Sequence, residues 1–395
     1  MGLFDKPSKY KNTDYRSINY SGNWSRHFIN EYYDSLDEIG IVETLGKLHN
    51  YKEEHLPKSL FKFCSPSSFN LSNLYNSTIY LSDPKSFNDP FDCTLNSNYE
   101  LFKETYVLKR LKEDDLVDVE GGEDRISLDE YQSLVLATSS RSLSFESIFF
   151  SIKQSKQRKL ARVLNSIQAD AVRKYKSALE YLSSIEIGVS SFSSFKSEDE
   201  LLKNTTMWSH YADHHRGFCI EYNLDFSVLK YENEMKCAIY PITYTAKNPT
   251  IPAAELLRLN HFQQDVKISK KIRKAILRTY TTKSAFWSYE KEWRIILDLN
   301  ESYFQINRTI PFLKIKKIYL GCRIDHGIKK SIVNISDKMN IEVIATTKSD
   351  SSFKLQARNA NVDSVNNEEN NIIYQNISNI TNSELGKKRM LEFFF

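Results

Sequence analysis

The sequence predicts an α+β chain: mixed, mostly antiparallel central sheets forming a cleft, with a large helical insertion and flanking helices. Two patterns predict it. Short runs rich in β-branched and aromatic residues, bounded by turn residues, occur early and late in the main region. Between them, residues 99–117 and about 128–182 repeat apolar side chains at helical intervals. Size agrees, because 395 residues of which 41% are hydrophobic suffice to bury one large core or two small ones.

The elements follow in order. Residues 1–59 read as an N-terminal extension with one helix over about 26–50, where Phe28, Tyr32, Leu36, Ile39 and Val42 recur at helical spacing. The main domain spans 60–348. It opens with a strand at Leu60–Cys64, a short helix near Asn70–Asn76 and a second strand at Thr78–Ser82, which Asp83-Pro84 ends because Pro cannot donate to a ladder. The helical insertion covers about 99–183, with an exposed Gly121-Gly122 loop. Strand character returns at Glu186–Phe192, Gly217–Tyr222 and Cys237–Tyr244. Residues 253–285 read as largely helical, and strands follow at Trp293–Leu299, Lys316–Leu320 and Ile341–Ile344. Residues 349–395 are Asn/Ser-rich and expected to be largely disordered. Their apolar end, Leu391–Phe395, is a docking segment for this chain or a protein partner, or else a loose tail.

Composition bounds the function loosely. A formal charge of +4 implies no partner by itself. Cys64, Cys93, Cys219, Cys237 and Cys322 form no CxxC pair and are odd in number, which suits a reduced, cytoplasmic setting better than a disulfide framework. The polar stretch after Met1 lacks the apolar core of a signal peptide, and no run of ~18 apolar residues offers a membrane span. Two basic helical stretches, 153–176 and 267–278, offer phosphate contacts to nucleic acid, or are solvated faces; Ile268, Ile272 and Ile276 form an apolar stripe on the second. No Gly-rich phosphate loop of the Walker type is present.

The most chemical segment is Trp287–Asp298. As a strand it puts Glu290, Glu292, Arg294 and Asp298 on one face and Trp293, Ile295, Leu297 and Leu299 on the other. The apolar set faces the core, so the charged set lines a wet face or cleft; the plain alternative is a surface strand with a Glu–Arg pair. Arg294 would hold a phosphate or pair with Glu292. Asn88, Asp89 and Asp92 lie in a Pro-bounded loop, either for rigidity or as a polar rim or hard-cation ligands. Tyr211 sits one helical turn after Met207, and His210 one turn before His214. That His pair has zinc-ligand spacing but no evident third ligand, so hydrogen bonds from His210 and Tyr211 to a pocket are the stronger functional reading, and satisfied structural side chains are the plain alternative. Glu221 would join a carboxylate cluster, whereas Cys219 lacks the partner a nucleophile needs.

Four patches in order carry a family resemblance. They are Leu60–Phe63 leading to Ser82-Asp83-Pro84-Lys85-Ser86-Phe87-Asn88-Asp89-Pro90-Phe91-Asp92; Met207–Ala212 with Gly217–Tyr222; Phe286-Trp287-Ser288-Tyr289-Glu290-Lys291-Glu292-Trp293-Arg294; and Ile318–Gly321. Over roughly residues 60–345 the chain resembles the domain of unknown function 2971 family, whose name implies no activity. The opening strand, turn, short helix and Tyr-Leu-Ser strand also resemble the first half of the ADP-ribosyltransferase fold, which holds NAD between split sheets. That likeness implies a first-strand residue at Lys62, where the fold uses His or Arg, a second-strand residue at Tyr80 or Ser82, and a late acid at Glu290 or Glu292.

The reading that results is an enzyme cleaving the nicotinamide glycosidic bond of NAD, as a toxin or phage-defence effector. Glu292 stabilises the oxocarbenium-like centre, and Tyr80, Ser82 and Tyr211 frame the ribose. A magnesium-dependent nuclease using Asp83, Asp89, Asp92, Glu290 and Glu292 is the first alternative. A non-catalytic sensor or partner-binding module is the second.

Overall fold

The computed structural model describes residues 24–35, 48, 50–140, 143–229, 235, 236, 238–259, 268–299 and 308–359. Its strands are β1 Ser59–Cys64, β2 Thr78–Tyr80, β3 Val117–Asp118, β4 Ile126–Ser127, β5 Ile187–Ser193, β6 Phe218–Asn223 and β7 Ile239–Pro241, followed by β8 Thr243–Thr245, β9 Thr282–Ser284, β10 Glu292–Asp298, β11 Thr309–Pro311, β12 Ile315–Leu320, β13 Glu342–Lys348 and β14 Leu355–Asn359. Eight of these form one sheet in the order β14-β13-β12-β6-β1-β5-β10-β7. Every neighbouring pair in it is antiparallel except β12 with β13. Three small pairs, β2 with β11, β3 with β4 and β8 with β9, lie outside it. The α+β class, mostly antiparallel with a helical insertion, is the one the sequence predicts.

Both faces of the large sheet are covered, which is why β10 is buried at all seven positions. On one side lie the helices of the insertion, Tyr99–Glu113, Leu128–Ser139, Phe145–Ser155 and Arg158–Ser183. Their Phe102, Leu111, Leu134, Phe149, Leu164 and Ala178 join Val189 and Ile296 of the sheet in one apolar cluster. On the other side, Leu71 and Leu74 of helix Ser68–Tyr75 and Ile332 and Ile335 of helix His326–Met339 pack on Leu60, Ile220, Ile295 and Leu297.

The sheet is nearly divided. β1 pairs with β6 over six residues and β5 with β10 over seven, but β1 and β5 meet only at Phe61 and Ser193. Beyond that contact the two strands splay. Ser82 occupies part of the freed edge of β5, exchanging backbone hydrogen bonds of 2.8 and 2.9 Å with Val189. Lys62 reaches across the remaining gap, its Nζ donating to the Ser191 carbonyl at 3.1 Å and to Ser190 Oγ at 3.0 Å. A side-chain amine thereby bonds a backbone carbonyl at a point where the ladder is broken. The expected cleft takes this form, a wedge between β14-β13-β12-β6-β1 and β5-β10-β7.

Several boundaries differ from the sequence reading. The stretch 253–285 is not one helical region: helices Ala253–Arg258 and Lys270–Tyr280 are followed by β9, where β-branched Thr282 favours extension over helix. Before β10, residues Ala285–Glu290 form a 3-10 turn rather than strand. β14 pairs with β13 inside the stretch expected to be disordered from residue 349. The first helix is described as Trp24–Ser35, with Phe28 and Tyr32 buried; Leu36, Ile39 and Val42 lie outside the described residues, as do Cys237 and Leu391–Phe395. Among the described residues no helix is long and apolar enough to cross a membrane.

One tight turn sets the end of the helix that carries Tyr211. Helix Thr205–Tyr211 stops, and Asp213, His214 and His215 all adopt positive φ, at 45°, 54° and 70°. Three consecutive left-handed residues without glycine carry strain of roughly 1–3 kcal/mol each. The strain is offset by backbone bonds from His214 to Ser209, His215 to Trp208 and Gly217 to Ala212, and by burial of Trp208. Gly217 then passes so close to β1 that a Cβ would stand 2.0 Å from the Cys64 carbonyl oxygen. Gly217→Ala is expected to destabilise the fold by roughly 1–3 kcal/mol through overpacking. Urea unfolding checks this, and an unchanged midpoint would contradict the tight packing.

Candidate functional site

The wedge between β1 and β5 opens into a cavity of about 210 Å³. Its walls draw Lys62 and flanking Phe61 and Phe63 from β1, Ser191 and Ser193 from β5, and Glu292 and Arg294 from β10. Ser82, Phe87, Asn88 and Asp92 come from the segment after β2, Lys283 from β9, and Met207 and Tyr211 from helix Thr205–Tyr211. Period-two alternation on β10 does place Glu292 and Arg294 on one side, opposite Trp293 and Ile295. Glu290 reaches the same cavity from the end of the 3-10 turn, with Lys291 in the left-handed region (φ 47°) as the joint between turn and strand.

The charged side chains form one buried network. Arg294 is 0% exposed. Its Nε donates to Glu292 Oε1 at 2.6 Å, and its Nη2 to Glu292 Oε2 at 3.0 Å and Asp92 Oδ2 at 2.6 Å. Its Nη1 donates to Asp92 Oδ1 at 2.8 Å and to the Tyr280 carbonyl at 3.0 Å. All five N–H groups of the guanidinium are thus used, which only a planar fork between two carboxylates permits. Lys283 sits among the three acids, with Nζ 2.7 Å from Glu290, 3.4 Å from Glu292 and 3.5 Å from Asp92. The Tyr211 hydroxyl donates to the other oxygen of Glu290, and the Glu292 backbone N–H donates to Tyr244 Oη at 2.8 Å.

Two carboxyls two positions apart are driven in opposite directions. Burial, and then the neighbouring Glu292 charge, push Glu290 up to about 7. Burial opposes the charge of Glu292 as well, but Arg294 and Lys283 overcome it and hold that carboxyl down to about 2. Lys283 shows the reciprocal effect: burial disfavours its charge, yet the Glu292 and Glu290 carboxylates raise it above its ordinary value. Lys62 differs. Burial lowers it, its Coulombic help from Glu292 is smaller, and no carboxylate lies within ion-pair distance among the described residues. Its ammonium rests 4.9 Å from the centre of the Phe192 ring.

The split has a consequence for stability. The folded Glu290 carboxyl titrates above the ~4.3 of an unfolded chain, so its contribution is present below ~4.3 and lost as pH rises through about 7. Glu292 behaves oppositely, contributing above ~4.3 and losing that contribution as pH falls towards about 2. The urea midpoint is therefore expected to decline between ~4.3 and about 7 in the wild type and to decline less in Glu290→Gln. Parallel pH profiles for the two proteins would contradict this assignment.

Of the residues singled out from sequence, the cavity brings together Lys62, Ser82, Asn88, Asp92, Tyr211, Glu290, Glu292 and Arg294. Three are elsewhere. Tyr80 pairs with Thr309 in the small β2–β11 sheet and stands edge-on to Phe69, because the chain passes to the large sheet only at Ser82. Asp89 caps its own loop, accepting from the Phe91 N–H at 2.9 Å. His210 is exposed and bonds the Tyr289 hydroxyl at 3.0 Å outside the cavity wall. Arg294 lines the cavity but has no N–H left for a phosphate, and its burial excludes the exposed Glu–Arg pair of a surface strand.

Other residues singled out from sequence lie outside the cavity. The helix ends at Tyr211, so His210 and His214 do not share a helical face, and among the described residues no group of three His, Cys, Asp or Glu has metal-site geometry. Asp83 caps the turn Pro84–Ser86, accepting from the Lys85 N–H. Glu221 belongs to a separate network with Ser59, Lys316 and Tyr319. Cys219 is buried, and burial pushes its thiol well up. In the basic stretches Lys156 pairs with Glu130, Arg173 with Asp170 and Lys271 with Glu255. Lys283 and the pairing role of Asp92 escape the sequence reading. Lys283 sits in a three-residue strand too short to show alternation, and Asp92 meets Arg294 across 202 positions.

Residues 207–295 match the family described as protein of unknown function (DUF2971). The match includes Met207, Tyr211, Lys283, Glu290, Glu292 and Arg294 of the cavity, whereas Lys62, Ser82, Asn88 and Asp92 lie before it. No curated protein and no solved structure matches the chain.

Proposed function

For a chain whose residues 207–295 match the DUF2971 family, a name that specifies no chemistry, we propose the cleavage of the nicotinamide glycosidic bond of NAD at the wedge between β1 and β5. The observation that carries this reading is that Glu290 and Glu292 line one cavity in opposed surroundings, burial pushing Glu290 up while Arg294 and Lys283 hold Glu292 down. Paired carboxyls whose environments drive them apart are the pattern by which a site divides proton transfer from charge stabilisation.

The step gives each carboxyl a separate role. The bond between ribose C1′ and the pyridinium nitrogen breaks, and its electron pair returns to the nitrogen, so nicotinamide leaves neutral. Positive charge spreads over C1′ and the ring oxygen, and Glu292, fixed by Arg294 and Lys283, stabilises it. A hydroxyl group, of water or an acceptor, attacks C1′ and gives its proton to Glu290. Tyr211 and Lys283 hold Glu290 in place. Ser82, Asn88, Ser191 and Ser193 supply polar contacts for the ribose, and Phe61, Phe63 and Phe87 supply apolar walls for the ring. A cavity of about 210 Å³ takes this one ring-and-sugar end, the rest of the dinucleotide lying along its mouth.

The loose likeness to the ADP-ribosyltransferase fold agrees in the convergence of a first-strand residue (Lys62), a second-segment Ser82 and a late acid at a sheet split. The magnesium-nuclease alternative loses ground because the Lys283 ammonium already fills the space among Asp92, Glu290 and Glu292. The test is incubation with NAD labelled in its adenylate half, alone and with cell lysate. Nicotinamide release is expected, with rate rising with pH through about 7 as Glu290 loses its proton. Release without label transfer identifies water as the acceptor, and absence of release in both settings overturns the reading.

A further inference from the structure

A second hollow lies on the far side of helix Thr205–Tyr211, with a cavity of about 560 Å³. The β13–β14 hairpin, with Lys348, Phe353 and Lys354, forms one wall, and His215, Arg323 and Thr205 form the other. Three cations therefore converge here. Lys354 pairs with Asp199 at 3.1 Å, whereas Arg323 and Lys348 have no carboxylate within ion-pair distance among the described residues. Asp350 is the only acidic residue among the described residues lining the hollow, so that lining carries an excess of positive charge.

Two further features narrow the ligand. Phe353 is fully exposed (102%) although it lines the hollow, leaving an aromatic face in water at the hairpin tip. His215 lies in the opposite wall with its ring parallel to Trp208 (9°), close enough to Arg323 that burial and the guanidinium both lower its basicity. Unpaired cations recognise phosphate, and an exposed aromatic ring recognises the flat face of a base. The volume falls in the roughly 300–1,000 Å³ range of pockets for small molecules.

We infer that the hollow between the β13–β14 hairpin and the 213–215 turn is a second ligand site, which binds a nucleotide with its phosphates on Arg323 and Lys348 and its base against Phe353. This site is distinct from the wedge and does not depend on the chemistry proposed there. It is nevertheless joined to it: Thr205 and His215 bracket the helix that carries Tyr211, and the His215 carbonyl accepts from the Arg323 N–H at 2.9 Å. Occupancy would thus bias the strained turn that ends this helix.

The test is titration of the full chain with fluorescent N-methylanthraniloyl ADP, with NAD, AMP and inorganic phosphate as competitors. The Glu290→Gln chain, in which turnover of the NAD competitor is slowed, is titrated beside the wild type. Saturable binding is expected in both chains, weakened at least tenfold in Arg323→Ala/Lys348→Ala and about threefold or more in Phe353→Ala. AMP is expected to compete better than phosphate. All three substituted side chains are at the surface, so circular dichroism and urea midpoints should match the wild type. No saturable binding up to 1 mM probe, or equal affinity in the folded double variant, overturns the inference. Loss of binding in Glu290→Gln alone also overturns it, because the nucleotide would then occupy the wedge.

Discussion

Glu290→Gln is expected to lower nicotinamide release about 10²–10⁴-fold, the usual contribution of a positioned general base. It should also abolish the rise in rate through about pH 7, because glutamine has no proton to lose there. The fold should survive. The introduced amide can offer its oxygen to the Lys283 ammonium and donate its N–H to the Tyr211 oxygen, and the substitution removes a carboxyl that burial already disfavours as an anion. The combination is specific: a slower enzyme with a flat pH profile and, above about pH 7, no loss of stability. In the proposed reaction the wild type faces the opposite compromise, since the deprotonated Glu290 that would accept a proton is also the form that burial penalises.

The second large effect concerns Arg294. Arg294→Met leaves the Asp92 and Glu292 carboxyls buried with only Lys283 between them, and breaking a buried pair in this way costs about 3–5 kcal/mol. Arg294→Lys should rescue little of it, because one ammonium cannot bond both Asp92 oxygens, both Glu292 oxygens and the Tyr280 carbonyl. Urea unfolding at pH 7 reads both variants. A lysine variant as stable as the wild type would mean that charge alone, and not the fork, organises the network.

The division of labour between sequence and structure depends on distance along the chain. Alternation over seven residues places Glu292 and Arg294 on one face and Trp293, Ile295 and Leu297 on the other. The local turn of Met207 and Tyr211 is legible for the same reason, both side chains lying within one helix. What alternation cannot give is depth: β10 is covered on both faces, so its charged side lines a buried cleft rather than an open surface. Tyr80 is misplaced by the sequence because three residues of β2 cannot show which sheet they join, and only the Ser82–Val189 bridge decides it. The left-handed run at Asp213, His214 and His215 contains none of the glycine that normally signals positive φ, so the end of the helix at Tyr211 has no local cue. That missing cue is what makes His210 and His214 look like neighbours on one helix.

Lys62 has a structural role of its own at the split between β1 and β5. A lysine bridges the splayed strands with a single ammonium bonded to Ser190 and Ser191. It needs no carboxylate to do so, and it leaves the nearby Glu292 to Arg294 and Lys283.

Central to the proposed chemistry is that Glu292 exists as a fixed carboxylate beside the reacting carbon. Its most direct test is nicotinamide release from NAD by the full wild-type chain and by Glu292→Gln, with circular dichroism establishing that both are folded. The expected result is measurable release by the wild type and a loss of about 10³-fold in the variant, the scale on which removing one preorganised electrostatic group acts. Equal release by the two proteins, or none by the wild type from pH 5 to 9, would contradict it.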